Sequence, residues 1–309
     1  MTNLAGQVVL ITGAARGIGA ALARHLAAAG ARLVLVGLEP EKLGALAAAL
    51  GPQHVWFECD VTDQPSLDRA IASGVAATGG LDVVVANAGI ASIGTVAVTP
   101  VDALVRVLDV NLGGVIRTVS ATLPHVAARR GYYLLVASAA SFAAAPGLAV
   151  YAATKSGVEQ FGNALRYEVA HKGVMVGTVH PCWIDTDLVK DARADLSTFR
   201  DMLKRLPGPF GTVTSVDVCA GAMVRAIEGR RRRTYVPRSL APLAALRHFL
   251  ARPPFDSVIS RAAANTVPQM EHETAALGRT FGVHSTEVGS RESGVGSSRP
   301  LATDTGRQP

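Results

Sequence analysis

The sequence predicts an α/β fold, a doubly wound parallel sheet of about seven strands with helices on both faces. Short β-branched runs alternate with longer Ala/Leu-rich stretches at helical spacing, the pattern of strand-helix units. Runs such as Val8-Val9-Leu10-Ile11 and Val83-Val84-Val85 are apolar without interruption, as strands covered on both faces require. The 309 residues, 49% hydrophobic and 17% charged, are enough for one large core. Strands are expected at Val8–Thr12, Arg32–Val36, Val55–Glu58, Asp82–Ala86, Tyr132–Ala137, Val174–Val179 and Thr234–Val236.

The mean hydropathy of +0.29 raises the question of a membrane span. Every apolar run is broken by Gly, Pro or a charge before the ~18–20 residues that a span needs. The N-terminus lacks a basic segment ahead of its apolar run, so no secretory signal is expected. Three scattered cysteines, Cys59, Cys182 and Cys219, suit neither a disulfide framework nor a metal knuckle, and point to a reducing cytoplasm. No metal site is expected.

The first strand runs into Thr12-Gly13-Ala14-Ala15-Arg16-Gly17-Ile18-Gly19 and then an Ala-rich helix. Glycines let the chain turn tightly there, so that backbone N–H groups of Gly13, Ala15, Arg16, Gly17, Ile18 and Gly19 can approach a pyrophosphate at a helix N-terminus. This context makes the fold Rossmann-type and predicts dinucleotide binding. After the third strand, Asp60 and Val61 stand where an adenine amino group would be met, or Asp60 caps the next helix. After the fourth, Asn87-Ala88-Gly89 offers a small-residue surface against the adenine ribose, with Asn87 bracing the sheet.

Tyr151 and Lys155 lie one helical turn apart on one face. A tyrosine is a poor base at neutral pH unless a cation favours its phenolate, and Lys155 can supply that cation. Upstream, Leu134-Leu135-Val136-Ala137 ends a strand and delivers the Ser138 hydroxyl to the ligand face.

In one register, these motifs resemble the large oxidoreductase branch of the short-chain dehydrogenase/reductase family over about Leu4 to Pro237. Ser138 lies thirteen residues before Tyr151, the family's usual interval, and Asn111 falls in Val110-Asn111-Leu112-Gly113. The resemblance implies hydride transfer between a nicotinamide and a carbonyl or alcohol carbon (EC 1.1.1.-). Tyr151 would move the proton, Ser138 would hold the substrate oxygen, Lys155 would lower the tyrosine pKa and bind the ribose, and Asn111 would hold a water. It also implies that Pro181, Ile184 and Thr186 close over the nicotinamide. Cys182 replaces the family's glycine there, which questions the local backbone, since cysteine tolerates positive φ poorly.

For the NAD(P) choice the resemblance points to the end of the second strand, where Gly37 and Leu38 replace the usual acid and base. The missing acid leans the reading slightly to NADP, with Arg16 available to a 2′-phosphate and Glu39 opposing it. Substrate lining is expected from Ser141, Phe142, Leu148 and Cys182, with Ala140, Val150 and Ile90 nearby, implying a lipophilic carbonyl or alcohol. A catalytically silent NAD(P)-binding sensor or scaffold is the competing function.

Residues 187–214 read as an amphipathic substrate flap carrying Phe199 and Met202. Residues 238–284 read as a helical extension, and the Ser/Gly-rich tail 285–309 as disordered. Up to Glu228 there are 18 basic and 18 acidic residues, whereas after it there are 12 and 6, so the whole +6 is C-terminal. Arg230–Arg233 lacks interleaved aromatics, and nucleic acid is discounted. The extension either packs on the domain or a second subunit, the favoured reading, or lies weakly on a membrane surface. A homodimer or homotetramer, through helices around 101–129 and 151–171, is implied by the resemblance.

Overall fold

The computed structural model describes residues 4–92, 94–206, 208–247 and 252–282. The tail from Ser285, together with Phe249 and Leu250 of the extension, lies outside them.

Seven strands form one parallel sheet: β1 (Val8–Thr12), β2 (Arg32–Gly37), β3 (Val55–Glu58), β4 (Val83–Ala86), β5 (Tyr132–Val136), β6 (Met175–Pro181) and β9 (Arg233–Val236). Their order is β3-β2-β1-β4-β5-β6-β9. The chain therefore winds outward from β1 in one direction and returns through β4 in the other. That reversal opens a crevice at the C-terminal ends of β1 and β4, where such sheets bind ligands. Each strand lies where the sequence predicts it, β1 and β3 with the same bounds and the others with ends displaced by no more than two residues.

Side-chain alternation divides the core between the sheet's two faces. Val9 and Ile11 pack with Leu22 and Leu26 of α1 (Gly17–Ala28), Leu43 of α2 (Pro40–Leu50) and Met223 of α9 (Val216–Glu228). Val8 and Leu10 pack with Ile71 of α3 (Gln64–Thr78), Val119 of α5 (Gly114–Ala128) and Val158 of α6 (Ala149–Val169). Between α4 (Val101–Leu108) and α5 the chain makes a π turn over Asp109–Gly113.

The flap forms two helices, α7 (Asp187–Asp195) and α8 (Ser197–Arg205). A small parallel pair, β7 (Trp183–Ile184) with β8 (Val213–Thr214), ties its ends together and was not foreseen. Val189, Leu196, Phe199 and Leu203 bury its inner face.

The extension supplies α10 (Ala241–Ala245) and α11 (Pro253–Leu277), the latter beginning with Pro253 and Pro254. Proline is tolerated there because the first helical N–H has no intrahelical acceptor. Leu240, Ala244 and Met270 are buried, and Leu277 packs on the flap cluster. Arg247 Nη1 donates to the buried Glu159 carboxylate of α6 at 2.9 Å. The Arg230–Arg233 run forms the turn into β9; Arg230 donates to the Arg130 carbonyl at 2.8 Å, and Arg233 lies 3.6 Å from Glu159. Among the described residues, no helix is long and apolar enough to cross a membrane.

Candidate active site

The glycine turn is shaped by contacts that exclude side chains. Gly13 has φ +64°, and a Cβ there would lie 2.9 Å from the Ala88 backbone; Gly17 has φ +55°. Helix α1 begins with no side chain capping its first amides and no acid in its first turn, so its N–H donors and dipole are available to an anion. Asn87 braces the turn from β4, donating through Nδ2 to the Thr12 and Gly13 carbonyls at 3.0 and 3.2 Å.

The turn opens into a cavity of about 580 Å³ along the strand ends. Gly13, Ala15, Arg16, Gly17, Ile18, Gly37, Leu38, Asp60, Val61, Asn87, Ala88, Gly89, Tyr151, Lys155, Pro181, Ile184 and Thr186 line it, as does Ser138. One expected cofactor residue, Gly19, does not. A Cβ at Gly19 would fall 2.2 Å from the Gly13 carbonyl, so it serves close packing of helix against turn. Asp60 accepts from the Thr62 amide and hydroxyl, both at 2.8 Å, while Asp63 caps α3.

The end of β5 and the start of α6 bring Ser138, Tyr151 and Lys155 to one wall. Ser138 accepts from the Ala140 amide at 3.1 Å and donates to the Pro181 carbonyl at 3.4 Å, and its hydroxyl acts on the Tyr151 phenol. Burial pushes the Tyr151 phenol above its ordinary pKa, which the Ser138 hydrogen bond opposes and Cys182 reinforces. Lys155 Nζ stands 5.7 Å from the Tyr151 ring centre and donates to the Val136 carbonyl at 2.9 Å; burial lowers its pKa to about 8. The charge of Lys155 is not among the causes of the Tyr151 shift. Desolvation dominates both groups, and Tyr151 remains a phenol at neutral pH.

Asn111, within the π turn, stands behind the cavity wall. Its Oδ1 accepts from the Ile90 amide at 2.8 Å and its Nδ2 donates to the Ile90 carbonyl at 2.9 Å. A Cβ on Gly89 would sit 3.2 Å from Asn111 and 3.4 Å from Lys155, so the clamp on Ile90 fixes the Gly89 backbone beside the lysine.

Two expected substrate residues lie elsewhere. The 3₁₀ turn Ala139–Ser141 carries the chain back over β6, and the Ser141 hydroxyl donates to the Ser138 carbonyl at 2.7 Å and lies 3.1 Å from His180 Nδ1. The Phe142 ring packs against His180 and Tyr235. Cys182 does line the cavity, and its φ is not positive; among the described residues only Arg130 and Arg230 are non-glycines with positive φ. Burial raises its thiol to about 11, which leaves it a weak nucleophile.

Leu148 lines a second, smaller cavity beside the first, with Phe199 and Met202 of the flap. Sequence reasoning missed wall residues of the large cavity such as Arg106 and Phe281, whereas Glu39, read from the sequence as opposing a 2′-phosphate, does line it. Glu39 is 14% exposed and its Oε2 lies 3.2 Å from Arg16 Nε, so the arginine expected at a 2′-phosphate is already paired. Among the described residues no cluster of metal-ligating side chains occurs.

This site belongs to a class of nicotinamide-linked oxidoreductases. The sequence profile described as short chain dehydrogenase matches residues 7–197, and the chain belongs to that family. It is 33% identical over 208 residues to a 3-alpha-(or 20-beta)-hydroxysteroid dehydrogenase of Mycobacterium bovis, covering 67% of this chain and 79% of that one. It is 34% identical over 212 residues to glycine betaine reductase ATRR of Emericella nidulans, covering 67% of this chain but only 16% of that longer protein. The solved 3-ketoacyl-(acyl-carrier-protein) reductase from Brucella melitensis, complexed with NADH, superposes with a TM-score of 0.68 at 26% identity, covering 75% and 97% of the two chains.

Proposed function

We propose that the protein is a nicotinamide-dependent reductase of ketones or aldehydes that carry an apolar group. The observation that carries this reading is the convergence of Ser138, Tyr151 and Lys155 on one wall of the cavity into which the glycine turn opens. The bound nicotinamide supplies a hydride to a carbonyl carbon, or accepts one from an alcohol carbon. Backbone amides of the turn and the start of α1 would hold its pyrophosphate, and Asp60 and Val61 would meet its adenine. Ser138 orients the substrate oxygen and donates to it as negative charge develops. Tyr151, kept as a phenol by burial, gives its proton to that oxygen. Lys155 binds the ribose while charged, and Asn111 positions the Gly89 backbone beside it. In the oxidation direction the same proton returns to Tyr151.

On cofactor choice, the missing acid at Gly37 argued for NADP. The Arg16–Glu39 pair weighs toward NAD, because Glu39 puts a carboxylate on the cavity wall and engages the arginine expected at a 2′-phosphate, while Lys42 pairs with its other oxygen. Titration should show NADH binding at least tenfold tighter than NADPH, with Glu39→Gln narrowing the gap; tighter NADPH binding would reverse this choice. Cofactor absorbance with a panel of ketones and aldehydes tests the reaction itself. NADH oxidation by any of them supports it, whereas tight NADH binding with none consumed favours the silent sensor.

We further infer a homo-oligomer in the cytoplasm. Val101, Val105 and Leu108 of α4 and Ile116 of α5 expose 43–68% of their surfaces on the helices expected at the subunit contact. The inward-facing Leu240, Ala244 and Met270 support packing of the extension on the domain over a membrane role.

A further inference from the structure

The C-terminal arm, residues 270–282, lies beyond the segment that matches the family profile, yet it reaches the active-site mouth. Phe281 makes an antiparallel bridge with Ser92, in the loop after β4, and lines the large cavity together with Tyr151 and Ser138. Met270 is 6% exposed and meets Gly147, four residues before Tyr151; a Cβ on that glycine would lie 2.8 Å from its sulfur. The arm is held by directional contacts to the elements framing the mouth. Thr95 donates to Glu271 at 2.7 Å. Ser197 and Thr198, at the start of α8, donate to Glu273, the Thr198 hydroxyl at 2.7 Å. Arg279 pairs with Asp195 at the end of α7 and donates to the Phe281 carbonyl at 2.8 Å.

Between arm, flap and the loop before α6 lies the second cavity, of about 70 Å³. Leu148, Phe199, Met202 and Met270 are among its walls, and among the described residues no charged side chain lines it. It shares Leu188 and Val189 with the large cavity, so the two are neighbours across one wall of α7.

We propose that the arm is the specificity wall of the substrate site, where Phe281 borders the reacting carbonyl and Met270 closes an apolar chamber that takes a short alkyl substituent of a ketone. The assignment rests on the reductase reading and names which substituents that site selects. Each methylene transferred from water into such a chamber tightens binding about fourfold until the chamber is full. Bulk in the chamber wall removes that gain, and space extends it.

Binding of acetone, 2-butanone, 2-pentanone and 2-hexanone is to be measured by equilibrium titration in the presence of saturating oxidised cofactor, NAD or NADP, whichever binds tighter. A ketone cannot be reduced in that complex. The wild type should gain about fourfold per methylene through the first members and then level off. Met270→Ala should move the plateau to longer ketones, and Met270→Trp should abolish the gain. Cofactor titration reports whether each variant is folded, and either variant alone suffices for the comparison. The same chain-length dependence in wild type and variants, or no binding of any ketone by a wild type that binds the cofactor, overturns the proposal. A wild type that binds neither dinucleotide contradicts the reductase reading itself.

Discussion

Tyr151 and Lys155 occupy one buried wall, and their burial determines their protonation. A phenol whose pKa is raised is charged less readily, so Tyr151 keeps its proton at neutral pH and acts as a donor. A lysine whose pKa is lowered to about 8 keeps its charge below that pH and loses it above. Carbonyl reduction, measured as kcat/KM against pH, should therefore stay level below about pH 8 and fall above it. Lys155→Met should lower the rate and remove the break; a rate that climbs through pH 8 would contradict the assignment. The roles of Tyr151, Lys155 and Ser138 were implied by the family resemblance that their motifs carry. The balance between desolvation and the lysine charge was not, because it depends on how deeply the fold buries both groups.

At the scale of elements, the site exists because β1 ends in a turn that leaves no room for a side chain at Gly13 or Gly19. Gly19→Ala would put a Cβ 2.2 Å from the Gly13 carbonyl, and backbone there cannot yield without moving the turn. Overpacking of this kind costs about 1–3 kcal/mol, and NADH affinity should fall at least tenfold. Denaturant unfolding and NADH titration read the two effects; unchanged values in both would show that the turn is not built as described. The seven sheet strands were legible as short β-branched runs between Ala/Leu-rich stretches, continuous and buried in β1 and β4 and mixed with polar residues in β3 and β9. The two-residue strands β7 and β8 carry no periodicity to detect. Ser141 and Phe142 were assigned to the substrate site from their nearness to Ser138 in sequence, but a single 3₁₀ turn sends them to the His180 side of β6. Phe281 was missed for the opposite reason, lying 130 residues after Tyr151 with no motif to mark it.

Over the whole molecule, the extension and the catalytic domain share one surface. Arg247 reaches Glu159 behind α6, and residues 270–282 lie across the mouth, so the basic C-terminal region is partly spent in internal pairs. Val101, Val105 and Leu108 form an exposed apolar row on α4. Burying those three side chains between subunits would contribute several kcal/mol at ~1.5–3 each. Light scattering should give a dimer or tetramer, and Val105→Glu with Leu108→Glu should give a monomer; a monomeric wild type would contradict the subunit contact. The central claim concerns chemistry, and Tyr151→Phe tests it most directly. With a carbonyl substrate that the wild type reduces, the variant should bind NADH within about threefold of the wild type and lose about 10²–10⁴ of its turnover. Turnover equal to that of the wild type would contradict Tyr151 as the proton donor.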